Sequence, residues 1–90
     1  MRITFDPAKN ARNIAERGLP FQLIADLEWG AAVVVEDLRK DYGERGFQVF
    51  GRIGRRLYVA VVTWRDDATH VISLRKANRQ EMKRHEEAQG

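Results

Sequence analysis

The stretch Leu57–Arg65, LYVAVVTWR, constrains the fold more than any other part of the chain. Val59, Val61, Val62 and Trp64 place apolar side chains at both parities of an extended segment, so a central strand covered on both faces is predicted. The chain has 90 residues, enough for a single core, and residues 1–90 are read as one domain. The neighbouring segments read as a β-meander. Arg45–Gly51 alternates loosely, Gly51-Arg52-Ile53-Gly54 supplies a hairpin turn, Asp66-Asp67 the next turn, and His70–Arg75 the last strand. Ala31–Glu36, with three consecutive valines, is a further strand, and the charged run Asp37–Gly43 a loop.

Helices are predicted at both ends. Asp6 can cap backbone N–H groups while Pro7 fits a first helical position, where no N–H is needed. Ala8, Ala11, Ile14 and Ala15 then recur at helical spacing, with Lys9, Arg12, Asn13 and Glu16 on the other face and Gly18 as the stop. A second short helix is expected from Pro20, burying Phe21, Ile24, Ala25 and Leu27. Asn78 opens the last helix, with Glu81 completing a capping box. Met82 is its only large apolar side chain, so burial within the monomer anchors it weakly. The expected class is α+β, with two N-terminal helices packed on an antiparallel sheet and a C-terminal helix.

Composition removes several chemistries. With no cysteine there is no disulfide, thiol nucleophile or thiolate metal site. No His/Asp/Glu cluster has metal-ligand spacing and no glycine-rich phosphate loop occurs, so no metal and no cofactor is expected. The opening residues lack a signal-like apolar stretch, and the longest apolar run, Leu57–Val62, is far short of the roughly 20 residues of a membrane helix. The expectation is a cytoplasmic protein without a membrane partner. The net charge of +3 is uneven: residues 1–44 carry six Lys/Arg against eight Asp/Glu, residues 45–90 ten against five. The second half is thus suited to a polyanion.

Three groups of side chains point to chemistry. Arg75, Lys76, Arg79 and Lys83/Arg84 run from a strand end into a helix N-terminus, an arrangement that binds anions. Arg45, Arg65 and Arg75 stand at strand ends or edges, where antiparallel neighbours can gather them; Tyr58 or Trp64 could stack a base, although a core position suits Trp64 better. The acid–base candidates are His70, His85, Glu81 and Glu44; Glu81 and His85, four apart, share a helix face and could carry protons near neutral pH. His70, with Ile72 and Leu74 on its face, reads as partly buried.

Three stretches together resemble the BrnT family: FDPAKNARNIAERGLPF, GERGFQVFGRIGRRLYVAVVTWR and HVISLRKANRQEMKRHEE, in order and spanning most of the chain. The resemblance implies a RelE-like architecture, RNA cleavage that blocks translation, and a cognate antitoxin that neutralises the toxin. It further implies that this antitoxin is of ribbon-helix-helix type, forms a two-plus-two complex, and carries the contact with operator DNA. Matched positions are Lys9, Asn13, Arg45, Arg65, Arg75, Arg79 and Glu81. Phe5-Asp6 stands where the family has Trp-Asp, Glu16-Arg17-Gly18 where many members have Lys-His-Gly, and His85 where many have tyrosine.

RNA brings its own nucleophile, the ribose 2′-OH, so a metal-free nuclease needs in-line alignment, charge neutralisation and the handling of two protons. This assigns catalysis to Arg65, Arg75, Arg79, Glu81 and His85, and RNA binding to Lys9, Asn13, Arg45, Lys76 and Lys83. The rival reading is a non-catalytic nucleic-acid- or partner-binding module, an inactive toxin relic.

Overall fold

The computed structural model describes residues 1–89. The chain runs through β1 (Arg2–Phe5), α1 (Pro7–Arg17), a 3₁₀ segment (Phe21–Asp26), a 3₁₀ turn (Trp29–Ala31), β2 (Val33–Glu36), β3 (Gly46–Ile53), β4 (Arg56–Arg65), β5 (Ala68–Lys76) and α2 (Arg79–Gln89). The α+β class holds, with two corrections. The sheet is mixed: its order is β1-β5-β4-β3-β2, and β1 lies parallel to β5 rather than antiparallel. The second N-terminal helix is 3₁₀, because Phe21, Ile24 and Leu27 are buried at a spacing of three while Ala25 is exposed. The β3–β4 turn is Gly54-Arg55, a little later than predicted, since pairing extends to Ile53↔Arg56.

β4 is central and covered on both faces. On one face Ala60 and Val62 join Val49, Val71 and Leu74 beneath Leu19, Phe21, Ile24 and Leu27 of the segment after α1. On the other, Leu57 and Val59 form a smaller cluster with Ala77, Phe50 and Met82, which attaches α2 at one end of the sheet. Beyond Val62, Trp64 leaves the core and is 43% exposed. Its ring leans on Phe47 and its indole N–H donates to Thr69, so the core position expected for it is not realised.

α1 docks by hydrogen bonding, inverting the expected faces. Asp6 accepts from Ala8 N, and Gly18 ends the helix at φ +70°, both as predicted. Ile14, however, is 42% exposed, and Ala8, Ala11 and Ala15 are exposed with it. The buried residue is Asn13, whose amide donates to the Leu19 and Leu74 carbonyls. Asn10 accepts from the Phe21 amide on the same side. β1 pairs with β5 only as far as Phe5↔Val71, so Leu74 has no strand neighbour on that edge and α1 supplies the donor instead. Asn13→Ala is expected to cost about 1–3 kcal/mol by stranding the Leu19 carbonyl and leaving that of Leu74 with the Arg17 guanidinium alone, whereas Ile14→Ala should stay within about 0.5 kcal/mol. Thermal unfolding of both variants checks the order; a larger loss from Ile14→Ala would show that the helix docks through its apolar stripe.

Candidate active site

A groove opens on the same sheet face as α2, over the part that α2 leaves uncovered, between α1 and the 37–45 loop. It consists of two adjoining hollows, of about 640 and 450 Å³, that share Lys9, Lys40, Tyr42 and Ile72. A β-bulge shapes the floor: Val61 pairs with Ser73 and Val62 with Val71, leaving Ile72 as the extra residue on β5. The walls carry Lys9, Arg12 and Arg17 from α1, Arg39 and Lys40 from the loop, and Arg65 from β4; the lining carboxylates are Glu16 and Asp41. Lys9, Arg12 and Lys40 stand in no ion pair among the described residues.

The loop is organised by one buried acid. Asp37 accepts from the Arg39 backbone N–H and guanidinium, and from the Tyr42 hydroxyl at 2.7 Å. These donors, Arg39 first, hold its carboxyl well below the usual range despite burial. Tyr42 lies flat against the chain at Gly46, where a methyl group would come within 2.5 Å of the ring, so only glycine admits this packing. Tyr42 and its neighbours Arg39 and Lys40 thereby face the groove from a fixed loop.

Deeper in, His70 and Thr63 are paired across β5 and β4. The His70 ring lies 2.8 Å from the Thr4 hydroxyl through Nδ1. Thr63 Oγ1, alone among the buried side-chain polar atoms of the described residues, has no hydrogen-bond partner of good geometry. The Glu44 carboxylate is close enough for that hydroxyl to help keep it ionised, after the larger effect of Arg65.

The sequence candidates do not converge as one cluster. Lys9 and Arg65 line the same hollow, although Arg65 is also paired with Glu44. Asn13 lines the larger hollow with its amide already committed to backbone carbonyls and its oxygen to Arg17. Arg45 lies apart, paired with Glu36 and stacked 5.2 Å from the Phe47 ring centre. Arg75 makes a two-pronged pair with Glu81, which also closes the expected capping box with Asn78. Both Glu81 oxygens are thus occupied, and Arg75 above all holds its carboxyl at about 2. His85 is the buried residue of α2, beside Val33, Val35 and Phe50. Lys76, Arg79 and Lys83 are exposed and line none of these hollows. Missed by sequence reasoning were Arg17, Arg39, Lys40 and Tyr42 as groove residues; the shared face of Lys9, Arg12 and Glu16 was the one signal that pointed here.

A small α+β domain with a cation-lined groove over bare sheet is a frame suited to gripping a polyanion. The family model described as "Ribonuclease toxin, BrnT, of type II toxin-antitoxin system" matches residues 5–81, and the chain belongs to that family. Comparison with curated proteins finds no match. No helix among the described residues is long and apolar enough to cross a membrane, and they include no group of three or more His, Asp or Glu that could hold a metal ion.

The carboxylate pairs make stability pH-dependent. Glu81 ionises near 4.5 when unpaired and at about 2 in the folded chain, so its stabilisation is complete above about 4.5 and lost as pH falls toward 2. Asp37 is shifted in the same direction. Denaturant unfolding between pH 5 and 2.5 is expected to show the wild type losing stability more steeply than Glu81→Gln; equal slopes would mean that the Arg75–Glu81 pair is not held in solution.

Proposed function

We propose that the protein is a toxin that cleaves RNA in the groove between α1 and the 37–45 loop, by attack of the ribose 2′-OH on the adjacent phosphate. The observation that carries this reading is the convergence of six cationic side chains from three elements on one hollow surface in a chain of a ribonuclease family. Lys9, Arg12, Arg39 and Lys40 neutralise the RNA backbone, and their number favours phosphate over a single small anion. Arg39 and Arg65 present planar forks that match two phosphate oxygens, once their carboxylate partners yield or share them. Tyr42 offers a ring against which a base can lie. Arg45, Arg75, Lys76, Arg79, Glu81, Lys83 and His85 are assigned to holding the fold or to facing a partner.

The chemistry needs no metal, because the nucleophile belongs to the substrate and the charge building on phosphorus is met by guanidinium and ammonium groups. Its products are a 2′,3′-cyclic phosphate and a 5′-OH end, and cutting messenger RNA stops translation. A cognate antitoxin neutralises the toxin; we infer a ribbon-helix-helix protein in a two-plus-two complex that binds operator DNA through its own domain, acting in the cytoplasm.

Cleavage of a mixed-sequence single-stranded RNA in the presence of EDTA is expected to yield these ends. Lys9→Ala with Lys40→Ala should lower the rate at least about tenfold and reduce the salt dependence of binding by about 0.7 in log–log slope per lost phosphate contact. RNA that shifts but is never cut would favour a non-catalytic binding module. A double variant that binds and cuts like wild type would place the RNA elsewhere.

A further inference from the structure

We propose that His70 is a catalytic residue of this groove, its imidazole taking the proton of the attacking 2′-hydroxyl while Thr4 acts as a positioning residue for the ring. The assignment rests on the groove being the RNA site. Three independent observations carry it. First, the ring lines the smaller hollow together with Lys9, Lys40 and Arg65, cations that can hold a phosphate next to it. Second, Nδ1 is engaged by Thr4 Oγ1 at 2.8 Å, while Nε2 has no partner among the described residues. With Nδ1 protonated and donating to the Thr4 oxygen, Nε2 keeps its lone pair and is the atom able to accept a proton. Third, the residue across the ladder is Thr63, whose buried hydroxyl lacks a partner of good geometry and lines the same hollow. With only the Glu44 carboxylate in loose reach, this hydroxyl can turn to donate to a ligand oxygen instead.

The surroundings of the ring favour its neutral form. Partial burial lowers its pKa first; Arg65 and Lys9 act in the same direction, against Glu44 and Asp6. The Tyr42 hydroxyl is committed to Asp37, and burial raises its pKa, so it does not compete as the base. In the step itself the P–O2′ bond forms and the P–O5′ bond breaks. The 2′-hydroxyl proton passes to Nε2, and the departing 5′-oxygen takes one from water in the open groove. His70 then returns its proton to solvent, leaving no net change.

The test is a set of variants read by pH profile. Wild-type cleavage is expected to rise with pH through a midpoint below 6.5 and then level off. His70→Gln should lose that limb and fall by about 100-fold or more, while binding 2′-O-methyl RNA as wild type does. Thr4→Val should displace the midpoint and Thr4→Ser restore it. Nitrogen NMR of the wild type should show His70 neutral at pH 7 with the proton on Nδ1. A His70→Gln protein that cuts at the wild-type rate, or a proton found on Nε2, overturns the assignment. In that event the Lys9→Ala/Lys40→Ala protein separates the causes: lost RNA affinity leaves the groove standing without this base, and retained affinity removes the groove as well.

Discussion

Between Val71, where β1 ends, and Lys76, β5 has no strand neighbour on its outer edge. A buried carbonyl there needs a donor, and the Asn13 amide provides it, bonding Leu74 and Leu19 at once. Arg17 reinforces the same carbonyl and also holds the Asn13 oxygen. This hydrogen-bonded seam fixes the rotation of α1 about its axis. Because Asn13 faces the sheet, Lys9 and Arg12 border the open face, and the alanine stripe with Ile14 is left to solvent. A helix packed through its apolar stripe would have turned those cations away.

The second wall follows the same logic with charge. Asp37 is buried, and a buried carboxylate is tolerated only when it is paired and hydrogen-bonded. Arg39 and Tyr42 answer that need, and in doing so they fold a polar nine-residue connection into a fixed loop that brings Lys40 along. The Arg75–Glu81 pair does comparable work at the start of α2. Satisfying buried polar groups thus shapes both sides of the groove, and apolar packing chiefly sets the sheet beneath it.

Much of the fold was legible in the sequence, and the reasons are local. The double-sided valines of β4, the Asp6-Pro7 start, the Gly18 stop and the Asn78/Glu81 capping box each depend on residues near in sequence. What escaped was long-range. Nothing near Arg2–Phe5 announces a parallel partner more than sixty residues away, and nothing in α1 tells that an asparagine will outbid an isoleucine for the buried side. The site was harder still. Charge counted by halves pointed to residues 45–90, yet five of the six groove cations come from the half with more acids than bases. Sequence counting cannot see that Arg45, Arg65 and Arg75 each meet a carboxylate from another element. The BrnT resemblance supplied the ribonuclease class, and the family match over residues 5–81 bears it out.

Where RNA lies on the molecule decides its function. The most direct measurement is a chemical-shift map of isotope-labelled protein titrated with uncleavable 2′-O-methyl RNA. Shifts concentrated at Lys9, Lys40, Tyr42, Thr63, Arg65 and His70 are the expected result. Shifts confined to Arg45, Lys76, Arg79 and Lys83, with the groove residues unmoved, would contradict it.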